Sequence, residues 1–308
     1  MRRHLRPGAF GATCLSLAVS LTLAAPAAGQ PAFGVATVTG QQRLVAFETQ
    51  TPGTITSSLA ITGLQGAEVI HGLDFDPCSD PPTLFALGST SRLYTIDTSS
   101  GAATQVGSGA FTPALSGTRF GFDIVDCEQA RVVSDADQSL RVDLGTGAAT
   151  ADPPLAYDSG DANFGANPNV VGAAQAPFQT EFGIDSVLDV VVVQRTGDDP
   201  LSDSALTTVG PLGVDTGPVV GFDITGGLNP YAALDVGGQS RLYLLDLESG
   251  AATLLGAIGG SPLTGGLAVQ PAAPQLSASA SPFDLGSQPL GTMGPERTVT
   301  ITLIGGDA

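Results

Sequence analysis

Oxygen-bearing side chains crowd two short stretches of this chain. Asp158, Asp161, Asn163, Asn167 and Asn169 fall within twelve residues, and Asp135-Ala-Asp137-Gln-Ser139 alternates oxygen donors. Carboxylate and amide oxygens at such spacing are the ligands that hard cations take, calcium above all. They are equally the composition of an ordinary Asn/Asp turn, so both readings stand. The second stretch is not an EF-hand, because Leu140 occupies the sixth position and Thr146 the twelfth, where that loop needs Gly and Glu. The first lies in the longest irregular insertion, and loops carry function more often than scaffolds do. These seven residues are the candidates for binding a ligand or a cation; none is assigned a catalytic role.

Other chemistry is thin. Asp74, Asp123 and Asp223 recur at one place in a repeat, each between apolar neighbours. They could form an acidic ring that binds a cation or serves glycoside hydrolysis, which needs two or three carboxylates at set separations. The structural alternative is a buried Asp hydrogen-bonded to nearby backbone, or to Arg92 or Arg241; recurrence at equivalent positions favours it, since catalytic sites are asymmetric. The chain has two histidines, of which His71 alone lies beyond the N-terminal segment, and all eleven basic residues are arginines. Histidine-rich metal sites, Schiff-base lysines and a lysine-dependent phosphate loop are thereby excluded. Trp is absent, which removes the usual platform for stacking sugars. The formal charge of −18 repels nucleic acid and anionic lipid, which bind through basic groups.

The elements that must position these residues repeat. Ser91-Arg-Leu-Tyr94…Asp97…Gly101-Ala-Ala-Thr104 returns as Ser240-Arg-Leu-Tyr243…Asp246…Gly250-Ala-Ala-Thr253, and in shorter form as Leu140-Arg-Val-Asp143…Gly147-Ala-Ala-Thr150. Each reads as a hairpin: a strand ends in an Asp that accepts turn N–H groups, and a Gly supplies the positive φ that closes the turn. Ahead of the hairpins stand Gly72-Leu-Asp74, Gly121-Phe-Asp123, Gly172-Ala-Ala174, Gly221-Phe-Asp223 and Gly266-Leu-Ala268, spaced by 49, 51, 49 and 45 residues. A further strand separates the two phrases, at 84–87 and 231–234. Four strands in about fifty residues is the size of a propeller blade.

The ends of the repeat supply a closure argument. Strands predicted at 33–39, 43–48 and 55–61 lack a first strand, and a lone first strand remains at 266–269. Pairing these completes one blade and leaves no free sheet edge. The expectation is an all-β, five-bladed propeller of four-stranded blades over residues 30–270, closed by its N- and C-terminal strands; an open stack or a sandwich pair is the alternative. Cys78 and Cys127 each follow an equivalent glycine by six residues. In an oxidising compartment they read as one disulfide, provided that equivalent points on adjacent blades come within the roughly 7 Å Cα limit.

The Ser-Arg-Leu-Tyr…Asp…Gly-Ala-Ala-Thr phrases, together with 131–138 and 155–172, resemble the domain of unknown function 4394 family over nearly all of 33–270. The resemblance implies an exported protein, mostly bacterial, and no established activity. Residues 1–29 have the form of a secretory signal: Arg2, Arg3 and Arg6, an apolar run, then small residues at 25–29. An uncleaved anchor is the alternative there, and no other segment is apolar enough to cross a membrane. Cleavage would remove three arginines and no acid, giving a net charge of −21. After 271–274, residues 276–306 resemble the opening strands of an immunoglobulin-like surface module, here incomplete. A secreted or cell-surface binding or structural module of unknown extracellular ligand is the expected function. The alternative is a carboxylate-based enzyme, a glycosidase or lyase.

Overall fold

The computed structural model describes residues 29–176, 180–194, 204–225 and 229–271, and the backbone of β22 (Gln275–Ala278) and β23 (Ile301–Ile304), which pair antiparallel. The signal-like segment and most of the tail lie outside the described residues, so the immunoglobulin-like reading has only that one strand pair beside it.

Val, Ile, Leu, Phe and Thr in short runs between Gly- and Asp-bearing turns make strands, because branched and aromatic side chains fit a pleated, half-buried surface. Blade one holds β1 (Pro31–Val38), β2 (Gln41–Glu48) and β3 (Thr51–Ala60). Blade two holds β4 (Ile70–Asp76), β5 (Thr83–Gly88), β6 (Arg92–Ile96) and β7 (Ala103–Gln105). Blade three holds β8 (Phe120–Ile124), β9 (Gln129–Ser134), β10 (Ser139–Asp143) and β11 (Ala149–Ala151). Blade four is built from β13 (Val170–Ala176), β14 (Thr180–Asp185), β15 (Val190–Gln194) and β16 (Ala205–Pro211). It gains a fifth strand, β12 (Ala156–Tyr157), parallel to β16. This one departure from four-stranded blades comes from the insertion that carries the predicted cation ligands. Blade five holds β17 (Val220–Thr225), β18 (Asn229–Asp235), β19 (Ser240–Leu245) and β20 (Ala252–Ala257).

The last strand of the ring, β21 (Leu263–Val269), pairs with β1 from Ala32↔Val269 to Ala36↔Leu263 and completes blade one. The ring is a five-bladed propeller closed by its two ends, as the repeat requires. Its apolar interior is divided among the seams. Each of the five blade–blade interfaces holds its own buried cluster, such as Phe33, Leu44, Leu73 and Leu84 between blades one and two.

At the axis the recurring glycines do one job. A Cβ on Gly72 would stand 2.4 Å from the Cβ of Phe122, and one on Gly221 would stand 2.5 Å from that of Leu267. Gly121, Gly172 and Gly266 face the next blade around the ring in the same way. The inner strands therefore meet almost backbone to backbone. The void left among them, about 10 Å³, has room for at most one water. At this level the axis is a packed core and not a channel.

Candidate functional site

The inner strand of each blade has one face of its backbone turned away from its own sheet, and those N–H groups need acceptors. The repeated aspartates supply them across the seams. Asp74 Oδ2 accepts the Ile124 N–H of blade three at 2.6 Å, and Asp123 Oδ2 accepts the Gln175 N–H of blade four at 3.0 Å. Asp223 Oδ2 accepts the Val269 N–H of the closing strand. In every case the donor lies three residues after the inner glycine of the next blade. All three carboxyls are buried. Blades four and one carry Ala174 and Ala268 at this position, so two of the five seams lack the latch.

The arginine near these carboxyls is Arg131 of β9, cross-strand from Asp123, rather than Arg92 or Arg241. Its Nη1 donates to Asp152 Oδ2 at 2.6 Å and to Ser139 Oγ at 2.9 Å, while Arg141 Nε reaches Asp152 Oδ1 at 3.0 Å. Arg92 instead stands 3.9 Å from the buried Glu68, which also accepts hydrogen bonds from Thr90 and the Tyr94 hydroxyl. Glu181 of β14 joins the carboxylate group from blade four; burial pushes it up to about 7, with Arg131 opposing. Nothing in the repeat marks Glu181, because it stands on a second strand and has no counterpart in the other blades.

The insertion at 158–169 is tied to the outer part of blade four. Asp161 Oδ1 accepts Thr208 Oγ1 and the Asn163 N–H, each at 2.8 Å, and its Oδ2 accepts the Thr208 N–H at 2.6 Å. Burial raises the Asp161 pKa, but those bonds outweigh it and hold the carboxyl below its ordinary value. Asn163 Nδ2 donates to Thr208 Oγ1, and Asp158 Oδ1 accepts the Gly160 N–H. Asn167 donates only to the neighbouring Pro168 carbonyl. Between Asp158, Asp161 and residues 207–209 lies an open depression of about 550 Å³, and Phe164 is exposed on the same insertion.

Asn169 belongs to a different device. Its N–H donates to Asp185 Oδ2, which also accepts the Tyr157 hydroxyl, while Asp185 Oδ1 accepts the Val187 and Leu188 N–H groups. Asp135 does the same work in blade three, where it accepts the Thr118 N–H and hydroxyl at 2.8 and 2.6 Å. In both blades an acid at the end of the second strand, Asp135 just past β9 and Asp185 as the last residue of β14, pins the residue three before the inner glycine. In blade five the backbone carbonyl of Asp235, the last residue of β18, accepts from Gly217, four before the inner glycine. Asp135, Asp185 and Asp235 are spaced by fifty residues, a signal legible in the chain yet hidden by the louder glycine phrases. Asp137 ends its turn at φ 60, and its buried Oδ1 has no hydrogen-bond partner; burial and then Asp185 raise its pKa.

The seven predicted ligands are thus spread over two blades and four places: Asp135 with Asp137, Asp158 with Asp161 and Asn163, Asn169 on Asp185, and Asn167 apart. Among the described residues no three His, Cys, Asp or Glu side chains converge as a metal-binding group. His71 lies within β4, half-buried, its ring 4.9 Å from that of Phe120. Burial, then Arg119, lowers its pKa against Asp135 and Glu68. Cys78 and Cys127 form the disulfide, with Cα atoms 5.5 Å apart, and so link the turns after the inner strands of blades two and three.

Comparison with solved structures finds distant propellers. A protein of unknown function from Bacteroides thetaiotaomicron is 15% identical, with TM-score 0.47 over 80% of this chain and 66% of that one. A protein from Lactobacillus plantarum is 16% identical, with TM-score 0.40 over 82% and 71%. Virginiamycin B lyase from Staphylococcus aureus is 11% identical, with TM-score 0.41 over 73% and 69%. Likeness this remote carries nothing about activity. No curated protein matches. The family model described as "Domain of unknown function (DUF4394)" matches residues 43–268, which span the second strand of blade one to the closing strand. With most of the ring covered, the chain belongs to the DUF4394 family.

Proposed function

We propose that the protein is an exported binding or structural module that works outside the cell. The observation that carries this reading is the employment of its carboxylates. Asp74, Asp123, Asp135, Asp161, Asp185 and Asp223 each accept backbone N–H groups that hold blades or loops in place, which leaves few free for acid–base chemistry. The disulfide supports the exported compartment, since such bonds persist where the medium is oxidising. Residues 1–29 would supply the export signal. Among the described residues no helix is long and apolar enough to cross a membrane. The surface we assign to the ligand is the blade-four insertion, where Phe164 is exposed and Asp158 and Asp161 line the depression.

A second reading, a carboxylate-based enzyme, draws on that same pair of acids. One experiment separates the two. The full chain is expressed in a bacterial host, the mature protein is recovered from the medium, and it is incubated with a panel of insoluble polysaccharides. Export is expected to yield a product lacking about the first 29 residues and, by mass, without a free thiol. Retention on a polysaccharide without new reducing ends supports the module. New reducing ends that vanish in Asp161→Asn would replace it with the enzyme, and a product confined to the cytoplasm with both thiols free would overturn export.

A further inference from the structure

Glu181 is 3% exposed, and neither of its carboxylate oxygens has a hydrogen-bond partner. An ionised carboxylate in that position forfeits its hydration with no hydrogen bond in return, a cost of several kcal/mol (order of magnitude). Its cross-strand neighbours are Gln175 of β13 and Gln194 of β15. Because the Gln175 N–H is bonded to Asp123, Glu181 stands beside that carboxyl, and among charged groups it acts on Asp123 most strongly. The Asp123 and Asp74 carboxyls in turn act on one another, and Asp74 also feels Asp223. Four carboxyl groups, from β4, β8, β14 and β17, thus run in a chain beside the axis.

Among the described residues, what faces Asp74, Asp123 and Glu181 is insufficient to balance their charge. Arg131 approaches from β9, but Asp152 already holds its guanidinium, and Asp152 in turn is shared with Arg141. With all acids ionised, Asp74, Asp123, Glu181 and Asp152 would, among the described residues, set four buried carboxylates against the guanidinium groups of buried Arg131 and partly exposed Arg141. Two further facts narrow the remedy. Like charges held together away from water disfavour ionisation, so neighbouring buried carboxyls keep a proton between them. And the described acids do not converge as a metal-binding group.

We infer that Asp74, Asp123, Asp223 and Glu181 form a buried proton-binding site, in which Asp74 and Asp123 share one proton, Glu181 carries another at neutral pH, and occupancy is linked to the tightness of the seams. The link is direct. The same carboxyls accept the Ile124, Gln175 and Val269 N–H groups across the seams from blade two to three, three to four, and five to one. A neutral carboxyl still accepts those bonds, whereas ionising the whole chain sets like charges against each other at the joints. Burial drives Asp74 and Asp123 well above the carboxylate range, with Asp223 adding to the first and Glu181 to the second.

The sign of the pH effect follows. Asp74, Asp123 and Glu181 bind protons more tightly folded than unfolded, so folding takes up protons and stability falls as pH rises. For Glu181 the loss runs from its ordinary value of 4.5 to about 7, and it is complete above that.

The test is infrared spectroscopy on the mature, disulfide-bonded protein, paired with melting at two pH values. The carbonyl stretch of protonated carboxyl groups is expected to persist at neutral pH in the wild type, and one component is expected to disappear in Glu181→Gln. The same isosteric variant should melt several degrees higher than wild type at about pH 8, and within a degree or so of it at about pH 5. Absence of the protonated-carboxyl band at neutral pH overturns the proposal. So does a Glu181→Gln effect of equal size at both pH values, or a melting temperature at neutral pH that drops on adding a chelator, which would put a metal cation where the proton is proposed. Should the variant fail to fold, the wild-type infrared titration decides by itself.

Discussion

Aspartate serves this protein chiefly as an acceptor for backbone N–H groups that have no strand partner. In the outer hairpins Asp97, Asp143 and Asp246 each gather two turn N–H groups on one oxygen; the Ser99 and Thr146 hydroxyls first, with those N–H groups, hold Asp97 and Asp143 below the ordinary carboxylate range, and the N–H bond from Glu248 leads at Asp246. Depressed values contribute stability above the unfolded pKa that is lost as pH falls through the folded one, so these turns set the acid limit. The axial carboxyls have the opposite sign and set the alkaline one. Asp161 is of the first kind. Asp161→Ala removes two hydrogen bonds between the insertion and β16 and one within the insertion, and is expected to cost about 1–2 kcal/mol, read as a drop of a few degrees in melting temperature. Millimolar calcium is expected to leave the wild-type melting temperature unchanged, because both Asp161 oxygens are already engaged; a calcium-induced rise that Asp161→Ala abolishes would show that these bonds give way to a cation.

At the scale of the strand, the glycines in the repeat carry two different loads. Those that close hairpins, Gly101, Gly147 and Gly250, have φ near 77, 69 and 79, and also abut the outer strand of the preceding blade: a Cβ on Gly101 would lie 2.5 Å from the Ala60 oxygen. Those on the inner strands fill no special φ requirement at Gly72, Gly121, Gly172 or Gly221, and are needed for closeness alone. Gly221→Ala would force a methyl against the Cβ and N of Leu267 and is expected to destabilise by about 1–3 kcal/mol, measured by denaturant titration. The same exchange at Gly237, with open space around it but φ of 65, reports the cost of conformation without crowding. A loss at Gly221 no larger than that at Gly237 would refute the close-contact account. The glycine phrases were readable as blade markers from spacing; the axial crowding was not, because it depends on which blade comes next around the ring.

The whole molecule is held by a seam that joins its two ends. β21 donates Leu263, Leu267 and Val269 to the cluster shared with blade five, and its Gly265 and Gly266 pack against blade two. Ending the chain at residue 262 uncovers the edge of β1 and both neighbouring seams. The truncated protein is expected to lose its cooperative melt and to elute as oligomers on size exclusion, since an open edge strand pairs with other chains. Because Val269 lies opposite Ala32, a permutant that runs from residue 263 through 271 into residue 29 keeps β21 and β1 adjacent as a hairpin. It should recover a monomeric, cooperative melt, and a truncated form that is already monomeric and cooperative would show that the closure is dispensable.

Sequence alone pointed to the blade count, the strand content, the manner of closure and the cysteine pair, and the tertiary structure decided the last by bringing the two Cα atoms within 5.5 Å. All of these follow from periodicity, and a period is local information repeated. It also singled out Asp74, Asp123 and Asp223 as one equivalent set, and Asp161 and Asn163 as neighbours in the insertion. Tertiary structure decided what those residues meet. Asp74 bonds within its own strand, to the Phe75 N–H, and that it also reaches Ile124 fifty residues away depends on the tilt of one blade against the next. Glu181, Arg131 and Asp152 come from three different blade positions with no shared phrase, so no spacing announces that they gather. Burial made the difference: the same carboxyl that is a turn acceptor in water becomes, beside a packed axis with too few cations, a group that must hold a proton.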